Sequence, residues 1–166
     1  MFQFLNVHPK GLFVTDCVKR ALTFATGKTY QEVSLELNRL KKKTKCKKFN
    51  DNKNWKEYIK QLGYEKISFP IEKNTSCMTG ETFCEYYSKG TYILRMAHHL
   101  SVCKDGIIYD TWNCSEKRVY NAWKVPKDWI YHSIEKTNKK ISSHKKRFTK
   151  DERKILADIA YEINCT

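Results

Sequence analysis

Three residues whose side chains cooperate in acyl transfer occur along this chain of 166 residues in the order thiol, imidazole, carboxylate: Cys17, His99 and Asp110. A thiolate attacks a carbonyl carbon, an imidazole delivers a proton to the leaving group, and a carboxylate fixes the imidazole tautomer. Because the three residues are far apart in sequence, the fold must bring them together. A helix and a pair of strands are the elements predicted to do so.

The segment Thr91–Trp112 predicts a β-hairpin, because two apolar runs flank Asp105-Gly106. This dipeptide favours the positive φ angles of a two-residue type I′ loop between antiparallel strands. If Lys104 lies opposite Ile107 across the loop, the register of the two strands is fixed and every other pair follows.

This register places His99 and Asp110 on the same face of the hairpin as diagonal neighbours, because side chains alternate between faces along a strand. Ser101 lies opposite Asp110, and Trp112 lies opposite His99. We therefore predict that Trp112 shields the contact between the imidazole and the carboxylate from water.

His98 and Asn113 form a rival pair on the opposite face. They would form the site if that face packed on the helix of Cys17. We favour His99 because the opposite face carries apolar side chains suited to core packing, namely Leu100, Val102, Ile107 and Tyr109. A register shift of one residue would exchange the two pairs.

An apolar stripe predicts a buried helix that begins near Cys17 and ends at Gly27. The stripe consists of Val18, Ala21, Leu22 and Ala25. Thr15 or Asp16 is the predicted N-cap. Because the unpaired N–H groups and the dipole of a helix N-terminus favour a thiolate over a thiol, this position lowers the pKa of Cys17.

Further helices are indicated by their caps. Thr29 and Glu32 have the spacing of a capping box and start a second helix. Asn54 is the predicted N-cap of a third helix, which Gly63 ends. A short fourth helix is predicted over Thr79–Tyr87.

Strands are predicted over Tyr64–Phe69 and over Lys117–Val125, beside the hairpin. Since helices come first and strands later, the pattern predicts an α+β fold. The length fits one domain, which we assign to residues 1–135. Residues 136–166 are then a basic linker and a C-terminal helix, begun by a capping box at 149–152, that is packed on the domain or appended to it.

The chain has 32 Lys and Arg residues against 18 Asp and Glu residues, a formal net charge of +14, so an acidic protein or a nucleic acid is a possible partner. Six lysines follow the second helix closely: Lys41, Lys42, Lys43, Lys45, Lys47 and Lys48. Their run contains no aromatic residue for stacking on bases. We therefore favour a solvated loop over a polyanion-binding patch.

The seven cysteines include no CxxC pair, and no Cys or His has zinc-finger spacing. Free thiols in a reducing compartment, with no metal and no cofactor, are the expectation. The N-terminus lacks a basic region followed by a long apolar run, and no run of about 18 apolar residues occurs. This indicates a cytoplasmic protein that does not engage a membrane.

Three segments resemble the papain-like cysteine peptidases, and more closely small papain-like proteins of bacteria and phages: Thr15–Gly27, Gly90–Ile93 and Asp105–Trp112. The resemblance covers roughly residues 5–125, and Asp-Thr-Trp at 110–112 matches the Asn-Ser-Trp of papain-type enzymes. It implies an α+β, papain-like fold in which the nucleophile helix of an N-terminal helical half packs on an antiparallel sheet. It also implies a phage- or bacterium-encoded peptidase that cleaves a peptide or isopeptide bond of a protein or peptide substrate through a thioester on Cys17.

Papain-type enzymes supply a Gln a few residues before the cysteine, and this chain has none at that spacing. Asn6 and His8 are the candidates for the side-chain donor of an oxyanion hole, beside the backbone N–H of Cys17. The same apparatus supports deamidation or acyl transfer. The alternative function is a non-catalytic binding or inhibitor protein on a papain-like scaffold, a phage or bacterial host-interaction factor that acts through its basic surface.

Overall fold

The computed structural model describes residues 1–68 and 77–126. The helices in this part of the chain are α1 (Cys17–Thr26), α2 (Tyr30–Thr44), α3 (Asn52–Gln61) and α4 (Gly80–Tyr86). The strands there are β1 (Phe2–Phe4), β2 (Glu65–Ile67), β3 (Thr91–Met96), β4 (His99–Lys104), β5 (Ile107–Asp110) and β6 (Asn121–Val125). Three helices precede most of the strands, which confirms the α+β class.

Some predictions lie outside the described residues. These are the end of the strand predicted to reach Phe69, the domain boundary after residue 135, and the basic linker and C-terminal helix over 136–166.

The strands form one sheet in the order β1-β5-β4-β3-β6-β2. Four of its pairings are antiparallel, whereas β1 runs parallel to β5, with Phe2 beside Ile108. The sheet is therefore mixed, and the expectation of an antiparallel sheet is wrong at this edge. A three-residue strand is too short to show a periodic pattern, and no local turn links it to its distant partner.

The predicted loop at Asp105-Gly106 is confirmed. Both residues have positive φ, 48° and 77°, as a type I′ loop requires. Lys104 pairs with Ile107, and the ladder continues in the same register between β4 and β5.

The segment before this loop forms two strands, where the sequence predicted one. Met96 pairs with His99, so Ala97 and His98 form a second tight turn and the region is a three-stranded meander. His98 has φ 53°, in the left-handed region that histidine visits more readily than most residues. Ala-His lacks the glycine or asparagine typical of such loops, which is why the sequence did not reveal this turn.

Two predicted helix boundaries are confirmed by their backbone geometry. Gly27 ends α1 with φ 65°. The capping box of α2 is formed in both directions, with the Thr29 N–H donating to Glu32 Oε2 at 2.9 Å and the Glu32 N–H donating to Thr29 Oγ1 at 3.3 Å. Helix α4 lies within the range predicted for it.

The prediction that Asn54 caps α3 is wrong. Asp51 precedes the helix, and Asn54 lies inside it with 0% exposure. The Asn54 amide donates to the backbone carbonyls of Leu37 and Phe49, at 3.1 and 2.8 Å, and its carbonyl accepts from the Thr44 hydroxyl at 3.1 Å. Asn54 therefore joins α3 to α2 and the loop between them, because a buried amide needs all these partners.

Two apolar clusters lie on opposite faces of the sheet, since their members alternate along β3, β4 and β6. One cluster joins α1, α2 and α3 to the sheet side chains Ile93, Leu100, Val102, Trp123 and Val125. The other joins α4 to Tyr92, Leu94, Cys103, Ile108 and Ala122. Helix α1 packs mainly on β4. The elements carrying Cys17 and His99 are thus direct neighbours.

None of the helices in the described residues is both long and apolar enough to span a membrane.

Candidate active site

The start of α1 is held in place by the residue before Cys17. Asp16 is buried and does not cap the helix with its side chain. Its carboxylate instead forms an ion pair with Arg20, one turn along α1, and accepts a hydrogen bond of 2.9 Å from the hydroxyl of Tyr30 in α2. These contacts fix the N-terminus of α1, and therefore Cys17, relative to α2.

Cys17 is partly buried and lies beside the imidazole of His99 and the backbone N–H of Leu100. Burial raises the pKa of its thiol, but hydrogen bonds with His99 and Leu100 and the charges of His99 and Arg20 lower it, and the result lies below the ordinary 9.0. A lowered pKa increases the thiolate fraction, which is the nucleophilic form.

His99 connects the thiol to a carboxylate. Its Nε2 lies 2.7 Å from Asp110 Oδ2, and both side chains are largely shielded from solvent, with 11% and 4% exposed. Burial lowers the pKa of His99, but hydrogen bonds with Asp110, Cys114 and Cys17 raise it to about 11. Because Asp110 engages Nε2, the other ring nitrogen is the one left for Cys17.

The Asp110 carboxylate is held on several sides. Burial raises its pKa, but the hydrogen bond and charge of His99, together with Ser101 and the Thr111 N–H, hold it below the ordinary 3.8. The Thr111 N–H donates to Asp110 Oδ1 at 2.7 Å. The predicted contact between His99 and Asp110 is therefore present, with the carboxylate ionised.

The sequence suggested that the catalytic histidine lies on the strand face against which α1 packs, but the packing of α1 on the hairpin differs from this. Helix α1 packs on the face that carries Leu100 and Val102, whereas His99 points to the other face. His99 nevertheless reaches Cys17, because it is the first residue of β4 and Cys17 is the first residue of α1. The two termini meet at one end of the sheet, so position along the strand decides the contact.

The rival residues His98 and Asn113 do not form a pair. His98 lies in the turn between β3 and β4, so it has no place on the opposite strand face that the single-hairpin prediction gave it. Asn113 is exposed, and its carbonyl accepts a hydrogen bond of 3.1 Å from the Ser115 N–H.

Trp112 lies beside His99, with ring centroids 5.2 Å apart. It follows the end of β5 and is 42% exposed. The indole ring therefore lies against the imidazole, while part of Trp112 itself stays exposed to solvent.

Cys114 belongs to the candidate site, although the sequence does not distinguish it from the other free thiols. It is buried, and its Sγ lies 3.5 Å from Ser101 Oγ and 3.8 Å from Asp110 Oδ2. It also hydrogen-bonds with His99. Cys114 follows Asp110 by four residues, but a spacing of four predicts neighbouring side chains only in a helix, and Asp110 is in a strand.

His99, Asp110 and Cys114 bring three potential metal ligand atoms within 4.8 Å of one another. The 2.7 Å between His99 Nε2 and Asp110 Oδ2 is a hydrogen-bond distance. Two ligands of one tetrahedral zinc ion, each about 2.0–2.1 Å from the metal, would stand about 3.3 Å apart. The arrangement therefore fits a proton-sharing pair better than a zinc centre.

The predicted oxyanion donors, Asn6 and His8, do not line the cleft next to Cys17. The Asn6 amide donates to the backbone carbonyls of Gly11 and Leu12, at 3.1 and 3.2 Å. His8 Nδ1 accepts from the Lys10 N–H at 3.2 Å. Both side chains therefore shape their own loop, and sequence distance alone could not show this.

A cleft of about 620 Å³ opens beside Cys17 and His99. One wall is the segment from Lys48 to Asn52 with Trp55, and the other is the β3–β4 turn with Tyr120. The basic run thus continues into the site: Lys41 to Lys43 are in the last turn of α2, Lys45 is its C-cap, and Lys48 lines the cleft. No pattern in the sequence indicates this proximity.

The sequence matches no protein-family model, and it finds no significant match among curated proteins or solved structures. Function is therefore argued from the site. A thiol of lowered pKa, an imidazole of raised pKa and a buried carboxylate lie in a row beside an open cleft. Such a row can hold a thiolate–imidazolium pair, which supplies both a nucleophile and a proton donor.

Proposed function

We propose that this protein is a papain-like, cysteine-dependent acyl-transfer enzyme, in its simplest form a peptidase that cleaves peptide or isopeptide bonds. The observation that carries the proposal is the group Cys17, His99 and Asp110: Cys17 and His99 line the same cleft, His99 lowers the pKa of the thiol, and His99 Nε2 lies 2.7 Å from Asp110 Oδ2. The order of these residues along the chain is the papain-like order, and Cys17 begins a helix packed on the strand of His99.

The chemistry follows from the protonation states. With its pKa raised to about 11, His99 is an imidazolium at neutral pH, and it stabilises the thiolate of Cys17. The thiolate attacks the substrate carbonyl, and the leaving amine takes the proton from His99. The resulting thioester is cleaved by water, which the now neutral imidazole deprotonates. Asp110 orients the ring in both steps.

The oxyanion of the tetrahedral intermediate needs N–H or O–H donors. The backbone N–H of Cys17 is one, because the first residue of a helix has no acceptor within the helix. Thr15 and Asn50 line the cleft and offer side-chain donors. These two replace Asn6 and His8 as candidates, since the side chains of the latter pair are used in their own loop.

A second candidate function is a non-catalytic binding protein that acts through its basic surface. The position of Lys48 on the cleft wall favours it, because an acidic partner would then dock where a substrate would. The two functions make different demands on Cys17, which only the enzyme requires.

The test is to incubate the protein with a mixture of peptides and to analyse the products by mass spectrometry, with Cys17→Ala as the control. We expect cleaved or deamidated peptides with the native protein only, and a hydroxamate product when hydroxylamine is added to intercept the thioester. If Cys17→Ala gives the same products, or if neither protein modifies any peptide and Cys17 forms no hydroxylamine-sensitive adduct, the enzyme proposal is wrong.

A further inference from the structure

Two cations face the cleft from its opposite walls. Lys48 comes from the loop between α2 and α3 and is exposed, and Arg95 comes from the end of β3. Asp51 is the one acidic side chain among the described residues that line the cleft. Its Oδ2 accepts a hydrogen bond of 3.0 Å from the Lys48 backbone N–H, so this carboxylate is already engaged in the loop before α3.

Neither cation is neutralised by a carboxylate of the described residues. Within residues 1–68 and 77–126 the ion pairs are Arg20 with Asp16, Lys28 with Glu36, and His99 with Asp110. A cation without a counter-charge attracts an anionic ligand.

Arg95 is fixed on its wall by neutral contacts. Its Nη1 donates to Asn121 Oδ1 at 3.3 Å, and its guanidinium lies 5.9 Å from the centroid of the Tyr120 ring. Because these partners are uncharged, Arg95 keeps its full charge while its position is restricted. A fixed cation loses little side-chain entropy when it binds a carboxylate.

The same contacts favour a polypeptide over a nucleic acid. Tyr120 is the exposed aromatic side chain that lines the cleft, and a single-stranded base would need its ring face for stacking. The guanidinium groups of Arg95 and Arg118 lie over that ring, 5.9 and 5.3 Å from its centroid. The ring is therefore occupied by cations.

We propose, on the basis of the function proposed above, that the cleft selects acidic polypeptide segments, with Lys48 and Arg95 binding Asp or Glu side chains of a substrate held over Cys17. The exposed lysines that precede Lys48 in the sequence continue the positive surface outside the cleft: Lys42, Lys43, Lys45 and Lys47. They increase the rate of encounter with an acidic chain, whereas the two cleft cations hold it in place.

The test measures binding without catalysis. In the Cys17→Ala background, fluorescence anisotropy compares a Glu-rich peptide with a peptide in which Gln replaces every Glu. We expect the acidic peptide to bind about tenfold more tightly at low salt, which is about 1.4 kcal/mol. Lys48→Glu and Arg95→Glu should each remove most of that difference.

Lys42→Glu is the matched control, because it makes the same charge change at an exposed position that does not line the cleft. It should weaken binding of the acidic peptide only slightly. Equal binding of the Glu and Gln peptides, or an equal loss with Lys42→Glu and Lys48→Glu, would overturn the proposal. Tighter binding of single-stranded DNA that Lys48→Glu abolishes would overturn it in favour of a nucleic acid.

The outcome separates this proposal from the enzyme proposal. If the native protein cleaves acidic and neutral peptides at equal rates, the function stands and the acidic selectivity fails. If the native protein modifies no peptide but the Cys17→Ala form binds the acidic one through Lys48, the enzyme fails and the selective cleft stands.

A different observation carries a second inference. Cys84 in α4 and Cys103 in β4 are buried, with 2% and 0% exposure, and their sulfur atoms are 2.6 Å apart. A disulfide bond is about 2.05 Å long, so the two sulfurs need to approach by only about half an ångström. The hydrogen bond with Cys84 lowers the pKa of Cys103, burial raises it, and the Gly106 N–H lowers it further, so Cys103 is the better thiolate of the pair.

We infer that Cys84 and Cys103 form a disulfide that links α4 to β4 when a low-molecular-weight disulfide, such as oxidised glutathione, is the oxidant. When α4 opens, the Cys103 thiolate attacks one sulfur of the oxidant and expels one glutathione thiolate. The Cys84 thiol loses its proton to water, and the resulting thiolate attacks the Cys103 sulfur of the mixed disulfide and expels the second glutathione thiolate. Two protein thiols are oxidised, and one glutathione disulfide is reduced to two thiols.

The test equilibrates the folded protein in mixtures of reduced and oxidised glutathione, then quenches, denatures, alkylates and digests it. We expect a peptide pair linked through Cys84 and Cys103, formed at a more reducing ratio than any mixed disulfide of Cys46, and a higher unfolding temperature than for the reduced protein. Cys46→Ser should retain the link and Cys103→Ser should lose it. If both thiols are alkylated after denaturation at every ratio, or if Cys84 links to another cysteine, the inference is wrong.

Discussion

Cys17 and Cys103 both contact an ionisable partner and both have a lowered pKa, yet their surroundings differ. Cys17 lies at the end of the sheet, next to an imidazole and an open cleft. Cys103 lies within the sheet, next to another thiol and out of contact with solvent. A lowered pKa alone is therefore not expected to make a thiol catalytic, since reactivity also requires access and a proton donor.

The difference follows from what covers each cysteine in the fold. Cys17 is the first residue of α1, where backbone N–H groups are free and the chain approaches from outside the core. Cys103 is the fifth of the six residues of β4, on a strand whose two faces are covered by α1 and α4, and it is 0% exposed. The candidate site is therefore open where the starts of α1 and β4 meet, whereas the covered faces of β4 keep solvent from Cys103.

The largest expected effect is on the rates of alkylation. We expect iodoacetamide to modify Cys17 of the folded protein at pH 7 at least about a hundredfold faster than Cys103, because Cys103 reacts only after local opening. Site-resolved mass spectrometry over a time course measures both rates, with the partly exposed Cys46 as an internal reference. Similar rates at Cys17 and Cys46 would show that His99 does not activate the thiol.

The next effect comes from Asp110→Asn, which removes the negative partner of His99 while it keeps the shape of the side chain. We expect the rate of thioester formation to fall roughly 10²–10⁴-fold, because the imidazole loses its orientation and its raised pKa. The alkylation rate of Cys17 at pH 7 should fall in parallel, and that of Cys103 should not change. A variant that keeps the native rate would show that the carboxylate has no role in the chemistry.

The ion pair of His99 and Asp110 also gives stability a defined pH dependence. The pKa of His99 is raised to about 11, so its contribution is complete below its ordinary 6.5 and is lost as the pH rises towards 11. The pKa of Asp110 is lowered, so its contribution is complete above 3.8 and is lost as the pH falls through its folded value. Both contributions are complete together only between about pH 4 and pH 6.5.

Asp110→Asn should therefore destabilise the protein most in that window, by about 3 kcal/mol, as expected for breaking a buried pair. Urea unfolding at pH 5.5 and at pH 10, with native and variant both in the Cys17→Ala background, measures the two differences. The difference should be smaller at pH 10. A difference that stays constant with pH would mean that the variant acts through packing and not through the charge pair.

The sequence predicted the elements whose signals are local. The apolar stripe of α1, the stop at Gly27 and the loop at Asp105-Gly106 are each set by a few adjacent residues, and the structure confirms them. The register of that loop is enough to bring His99 and Asp110 into contact. Half of the candidate site therefore follows from one turn.

The features that the sequence did not predict depend on contacts between distant segments. Asn54 looks like a helix cap, but in the fold its amide satisfies carbonyls of α2 and the following loop. The turn at His98 contradicts the usual residue preferences because the sheet on both sides fixes it. Lys48 and Cys114 lie at the site because of the way the segments after α2 and β5 pack in the fold. No periodic pattern in the sequence predicts these contacts between distant segments.

Cys114 shares one property with each of the two cysteines compared above. It is as buried as Cys103, but like Cys17 it belongs to the candidate site, because it lies beside the carboxylate of Asp110. It does not contact the cleft, so we expect it to position Asp110 and not to react. Cys114→Ala should lower the pKa of His99, because one hydrogen bond that raises it is lost, and should slow thioester formation by only about threefold to tenfold. Cys114→Ser should restore most of the rate. NMR titration of the His99 ring measures the pKa, and an unchanged pKa in Cys114→Ala, with a slower rate, would assign Cys114 to packing alone.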